Sequence, residues 1–421
     1  MLTRRTFIKT GTALAASGLA MPALAQGIKL KIGYVSPQTG PLSAFSAADD
    51  FMVKQFLAAA PGLGLDVEVI VKDSQSSPNR AAEVAKELIS RDEVNLLLVA
   101  STPETTNPVC TVAEAEEIPV ISTVAPWQPW FIGQQGDPSK PDAWKPFDYV
   151  YHFFWGLEDN VAVFMNMWNG IDSNKSVGAL WPNDGDGNAW ASDVGMPPAL
   201  AKAGYKLTDP GRYQNLTDDF SAQINAFKAA DAQIMTGIPI PPDFTTFWTQ
   251  ARQQGYRPKM VSVAKALLFP ESVAALGDLG HNLTCEVWWS PAHPFKSSIT
   301  GQTAGELATA FEADAKRQWT QPAGFIHALF EVAADAIKRA DDPTDGDALA
   351  QAVATTNLQT VVGQVQWGRD NVPDFARKNV SKTPLVGGQW RKKADGTFDL
   401  VIVENALAPE IPLGGTLETL A

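Results

Sequence analysis

Nucleophilic and metal chemistry need particular side chains at particular spacings, and this chain of 421 residues does not offer them. Its four histidines, His152, His281, His293 and His327, are scattered without ligand spacing. There is no H-E-x-x-H, G-x-S-x-G or P-loop pattern. Acidic pairs such as Glu116 and Glu117 read as solvated helix faces. An exported enzyme is therefore the remote reading, and no cofactor is expected. The informative side chains are polar or aromatic groups at the ends of apolar runs. Ser101 and Thr102 follow the run 95–100 and precede a helical stretch. Two hydroxyls beside the free N–H groups of a helix start can cradle a carboxylate, although the same residues also serve as plain helix caps. Asp184, Asp186 and Asn188 have the opening spacing of a calcium loop, but its sixth and twelfth positions hold Ala189 and Gly195 instead of Gly and Glu. That segment reads as a turn and no metal is expected there. Among the 13 tryptophans, Trp127, Trp155 and Trp181 follow strand-like runs and could wall a flat apolar pocket, with core packing as the competing reading.

The elements that would position these groups alternate. Strand-like segments at 29–36, 66–72, 95–100 and 119–122 are separated by helical stretches at 47–60, 79–92 and 104–117. The pattern restarts after Tyr149, with strands at 176–181, 233–236, 259–263 and 283–289 between helices. Helices dominate from Gly305 to Ala354, and strand-like and irregular segments finish the chain. This order predicts α/β architecture: two doubly wound, Rossmann-like lobes with parallel sheets and helices on both faces. In such sheets a ligand crevice lies beyond the carboxyl ends of the strands. The segment 125–146, with Trp127, Trp130, Phe131 and Trp144, reads as a long functional loop.

Composition bounds the class. The formal charge of −13 argues against a nucleic-acid partner and against a basic membrane-surface patch. Residues 1–25 read as an export signal. Arg4, Arg5 and Lys9 form the basic part, Gly11 to Met21 a short apolar run, and Ala23-Leu24-Ala25 a cleavage signature. The Arg4-Arg5 pair marks it as the twin-arginine type. Cleavage before Gln26 would leave a soluble periplasmic chain without a lipid anchor, since no lipidation cysteine stands at the cleavage site. Two cysteines allow one bridge at most; Cys110 and Cys285 fall in different lobes and are expected to be separate buried thiols.

The segment from Lys31 to Phe45 (KIGYVSPQTGPLSAF) resembles the opening strand and loop of leucine/isoleucine/valine-binding proteins, the type 1 periplasmic solute receptors of ABC importers. The resemblance continues through Lys72 to Ala82, Leu96 to Thr102 and Ile118 to Ser122, and thereafter in the order of elements. It implies two lobes joined by a hinge of three crossovers, near 149–155, 288–294 and 360–367. Lobe 1 is then 28–149 plus 291–359, and lobe 2 is 150–290 plus 360–421. It implies a monomer that closes over a small-molecule ligand, an amino acid or related small carboxylate, and delivers it to the transmembrane subunits of an ABC permease. A sensing protein that feeds a signalling receptor is the alternative. The resemblance also assigns roles. Phe45 lines the pocket, and Ser101 and Thr102 hold a ligand carboxylate. Ser122, Thr123 and Val124 offer backbone and hydroxyl contacts. Asp186 faces the cleft from lobe 2. One departure bears on the ligand: where amino-acid-binding relatives place an acid for the ligand ammonium, this chain has Ala264 and Lys265. A lysine there would repel an ammonium and welcome a carboxylate, aromatic or aliphatic, unless it points to solvent or Asp186 rescues the ammonium.

Overall fold

A computed structural model describes residues 29–137 and 139–420. The expected export signal, residues 1–25, lies outside the described residues. The chain begins with β1 (Leu30–Ser36), α1 (Asp49–Ala59), β2 (Val67–Asp73), α2 (Pro78–Ser90), β3 (Leu96–Ala100), α3 (Pro103–Ala115), β4 (Val120–Thr123), α4 (Trp127–Ile132) and β5 (Val150–Phe153). It crosses to a second layer system with α5 (Leu157–Asn169), β6 (Ser176–Leu180), α6 (Gly185–Trp190), α7 (Met196–Lys202), β7 (Lys206–Thr208), α8 (Ser221–Ala229), β8 (Ile234–Gly237), α9 (Pro241–Gln253), β9 (Met260–Val263), α10 (Pro270–Ala274) and β10 (Thr284–Val287). It returns through α11 (Ala304–Ala315), α12 (Gln321–Arg339), α13 (Gly346–Ala354), the hairpin β11 (Asn357–Thr360)–β12 (Gly363–Gln366) and β13 (Val380–Ser381). Strands β14 (Val386–Lys392) and β15 (Phe398–Glu404) follow.

Two sheets result, in the orders β13-β5-β4-β3-β1-β2 and β15-β14-β10-β9-β8-β6-β7. In each, the first strand of its half sits between the second and the third, so both halves have the same doubly wound order. The first sheet is parallel throughout. The second is parallel except for β14, which runs antiparallel to β10 and to β15. Parallel strands covered on both faces must be apolar on both, and β3, Leu-Leu-Leu-Val-Ala, is buried at every position. The expected pair of α/β lobes is the observed architecture.

The sheets move the expected boundaries. Val150–Phe153 and Val380–Ser381 pair with each other at the edge of the first sheet, although both segments were assigned to lobe 2 on sequence. The side chain of Asn379 explains the docking: it donates to the carbonyls of Phe147 and Val150, at 3.0 and 2.8 Å, and accepts from the Phe147 N–H at 2.9 Å. The third crossover is therefore the short link 382–385, not 360–367. The 125–146 loop is also partly helical, as α4. Its aromatics drive that folding: Trp130, Phe131, Trp144 and Phe147 pack with Phe375 into one cluster with ring centroids 5.1 to 6.4 Å apart.

Helix α12 is the central strut of the first lobe. Sixteen of its nineteen residues are buried, and it contacts β3, β4 and α1. Trp289, just past β10, lies so close to it that a Cβ at Gly324 would come 2.3 Å from the indole. Cys110 and Cys285 are both buried and free, one in each lobe.

Candidate functional site

The doubly wound order puts a crevice between the first and third strands of each half, where consecutive connections leave in opposite directions. In lobe 1 that is the end of β3, carrying Ser101 and Thr102. In lobe 2 it is the end of β6, carrying Trp181. The two crevices face each other across a seam. Glu104, in the first turn of α3, accepts a hydrogen bond from the Gly185 N–H of α6 at 2.5 Å. Phe45 sets its ring edge-on to Phe269 of lobe 2, centroids 5.0 Å apart. Arg317 donates to the Ala47 carbonyl at 2.5 Å and lies 3.5 Å from Glu271. Grooves of about 410 Å³, between α3–α4 and α6, and of about 210 Å³, beside Phe269, run along the seam.

Lys265 stands at its centre. It follows β9 in a tight three-residue turn, φ 62° and ψ −59°, closed by the Ala266 N–H donating to the Ala264 carbonyl at 2.6 Å. That conformation is strained for any residue with a side chain. The turn aims the ammonium into the protein, where Lys265 is 5% exposed. Its Nζ lies 2.5 Å from Asp186 Oδ2 and 3.7 Å from Asp184 Oδ2. The fields of Asp184, Asp186 and Glu104 outweigh the burial of this ammonium and hold its pKa above the usual lysine range. Burial pushes the Asp186 carboxyl up, to about 7, against the pull of Lys265. Burial, then repulsion from Asp184, raises Glu104 as well.

Several buried polar atoms around the seam have no hydrogen-bond partner. They include Thr102 Oγ1, Glu104 Oε2, Asp186 Oδ1, Glu286 Oε2 and the indole N–H groups of Trp155, Trp181 and Trp288. Thr102 caps α3 by position, with extended φ −66° and ψ 163°, yet its hydroxyl makes no capping bond. The capping alternative is thus not the use this hydroxyl has. Ser101 differs: its Oγ accepts from Thr105 Oγ1 at 2.7 Å, and its carbonyl accepts from Thr106 Oγ1 at 2.8 Å.

The other sequence candidates divide. Ser122 is engaged inside lobe 1, its Oγ 2.8 Å from His152 Nδ1 and 3.2 Å from the Tyr151 carbonyl. Thr123 Oγ1 donates to the Phe153 carbonyl at 2.7 Å. Val124, just beyond β4, has φ 73°, an outlier for a β-branched residue. Trp155 leans on Phe154, which meets Trp288 edge-on at 4.9 Å. Trp181 is fully buried, with the Arg212 guanidinium 5.0 Å from its ring centre. Trp127 is drawn away from this group: it belongs to the apolar cluster of α2, α3 and Phe375, with its indole N–H donating to Glu158 at 3.3 Å. Asp186 does face the seam, in α6, and the turn capped by Asp184 uses its carboxylate on the Gly187 N–H at 2.8 Å. Among the described residues no group of acids, histidines or cysteines has metal-holding geometry.

Lys265 is the principal correction. The expected repulsion of an ammonium had Asp186 as its possible offset; in the structure Asp186 pairs with Lys265, and Asp184 and Glu104 add to its field. Two of the acids around it were missed. Glu286 interrupts the apolar strand segment 283–289, and its Oε1 accepts from the Lys265 N–H at 3.4 Å. An acid inside an otherwise buried strand was the available signal. Glu104 follows Thr102 and Pro103, where the capping reading drew attention to the hydroxyls alone.

A profile of the periplasmic binding protein family matches residues 29–375. A search of curated proteins finds no significant match. Solved structures share the fold at low identity. The leucine binding protein LivK of Thermotoga maritima is 18% identical, with TM-score 0.70, over 90% of this chain and 99% of that one. LivJ of Streptococcus pneumoniae, a branched-chain amino acid transporter substrate binding protein solved with isoleucine, is 17% identical, with TM-score 0.67, over 90% and 100%. An ABC transporter solute binding protein of Rhodopseudomonas palustris, solved with 3,4-dihydroxybenzoic acid, is 16% identical, with TM-score 0.70, over 90% and 99%.

Proposed function

This chain belongs to the periplasmic binding protein family, and we propose that it captures a small organic solute, an amino acid or a related small carboxylate, between its lobes and delivers it to an ABC permease. The observation that carries this is the set of unpartnered buried atoms at the seam, Thr102 Oγ1, Trp155 Nε1, Trp181 Nε1 and Asp186 Oδ1 among them. Buried polar groups are nearly always paired. A solute supplying those bonds would complete the site, with its acceptor oxygens on the Thr102 hydroxyl and the indole N–H groups.

The cycle follows from the topology. Solute enters an open seam and rests against the end of β3 and the start of α3. Lobe 2 then swings in, bringing Trp181, Asp186 and Lys265. Closure is driven by the solute's greater affinity for the closed form. The closed pair of lobes is the surface that a permease reads, and one chain carries both lobes, so a monomer suffices. Residues 1–25 would direct export to the periplasm. No step changes the solute chemically.

A thermal-shift screen of amino acids, amines, aromatic acids and short carboxylates tests this. A true solute raises the melting temperature, since a ligand at 100 times its Kd adds about 2.7 kcal/mol to the folded state. It should also change tryptophan emission, because Trp155 and Trp181 lie at the seam. Turnover of a bound compound into product would refute the reading.

A further inference from the structure

We propose that the solute taken by this cleft carries a net positive charge, with its cationic nitrogen seated against Asp186 and Glu286 beside Lys265. This deepens the solute-capture reading and rests on it.

Lys265 faces Asp184, Asp186 and Glu104, and its own N–H lies on Glu286. The nearby Arg212 does not redress the balance, because it is paired with Asp209. Some of these acids have protein donors: Asp184 takes the Gly187 N–H and the Asn215 amide, at 2.8 and 3.1 Å. Asp186 Oδ1 and Glu286 Oε2 have none, and both residues are 1% exposed. Lys265 reaches Asp186 only through Oδ2 and Glu286 only through Oε1, so each carboxylate keeps one buried oxygen without a donor, which is costly. Donors on a solute nitrogen would relieve both. A zwitterion brings as much negative charge as positive and leaves the surplus in place; a net cation reduces it. The absence of metal-holding geometry among the described residues favours an organic cation, and the aromatic walls, Phe45, Trp155 and Trp288, suit a desolvated one.

The titration behaviour agrees. Glu286 is pushed up to about 8 by burial, with the Asp186 charge adding to it. Asp243, also buried, is raised to about 6, and the Tyr213 phenol lies within its field. A cation would pull protons off these groups, so its affinity should rise as pH goes from 6 to 9.

The test uses charge-only pairs on the signal-free chain: arginine against citrulline and lysine against norleucine, with agmatine, putrescine, leucine and benzoate, by thermal shift and calorimetry at pH 8. At least one cation is expected to raise the melting temperature and to bind tenfold or more tighter than its neutral counterpart. Glu286→Gln, and separately Glu104→Gln, should each weaken that binding several-fold while the fold is kept. If citrulline, norleucine, leucine or benzoate binds and the cations do not, the charge assignment falls and solute capture stands. If nothing in the panel shifts the melting temperature, both fall.

Discussion

Thr102 separates a binding role from a structural one. Its buried hydroxyl has no partner in the protein, so Thr102→Val should leave the unliganded fold as stable or raise its stability by about 1 kcal/mol. Solute affinity should drop about tenfold, the worth of one hydrogen bond with a charged group. Equal losses in both, measured by urea denaturation and calorimetry, would return Thr102 to plain capping. Glu286 gives a pH signature. Its folded pKa is raised to about 8 by burial, above the value of about 4.3 in an unfolded chain. The folded state thus holds its proton longer, and wild-type stability carries a penalty that starts near pH 4.3 and is complete above pH 8. Glu286→Gln, without solute, should match wild type near pH 4 and exceed it by a few kcal/mol at pH 9. At this scale the sequence singled out Thr102, Asp186 and Lys265, and the structure sets Lys265 against Asp186. The sequence could not show that Lys265 is bonded to an acid 79 positions earlier, because that pairing exists only once two β-strand ends of one lobe converge.

Parallel strands and amphipathic helices were legible because burial on both faces writes itself as continuous apolar runs. Helix α4 was not, since six aromatic-rich residues interrupted by Pro129 carry too little periodicity. The β14–β15 hairpin was missed although Asp395-Gly396 between two strand-like runs is a turn signal. Trp127 shows why an element's type does not give its facing: a tryptophan after a strand can turn to either side of the sheet, and here Phe375 from a distant segment decides. The packing of α12 offers a direct check. Gly324→Ala would drive a methyl group into Trp289, and over-packing of this kind costs about 1–3 kcal/mol. A lower melting temperature with unchanged relative ligand preference is the expected result; an unaltered one would mean the indole can retreat.

Across the whole molecule, the contact between Glu104 and the Gly185 N–H is a tie between lobes. Glu104→Ala removes it and should move the unliganded population toward the open form. Solution scattering would report a larger radius of gyration, and apparent affinity would fall in proportion to the loss of the closed fraction. An unchanged scattering profile would show that the remaining contacts, Phe45 with Phe269 and Arg317 with Glu271, hold the seam. The two-lobed plan was readable from the restart of the strand–helix alternation. The place where the chain last changes lobe was not, because a two-residue strand such as β13 has no sequence signature and is held by the long-range bonds of Asn379.

The threading of β13 and β14 sets a timetable for synthesis. The first sheet lacks its edge until Val380–Ser381 has been made, and the second lacks the strand flanking β10 until Val386–Lys392 follows. A nascent chain therefore holds two unfinished halves and can complete both only once 380–392 have emerged. Deleting 380–392 would cripple both halves at once, and holding chaperones have their longest opportunity before that stretch emerges.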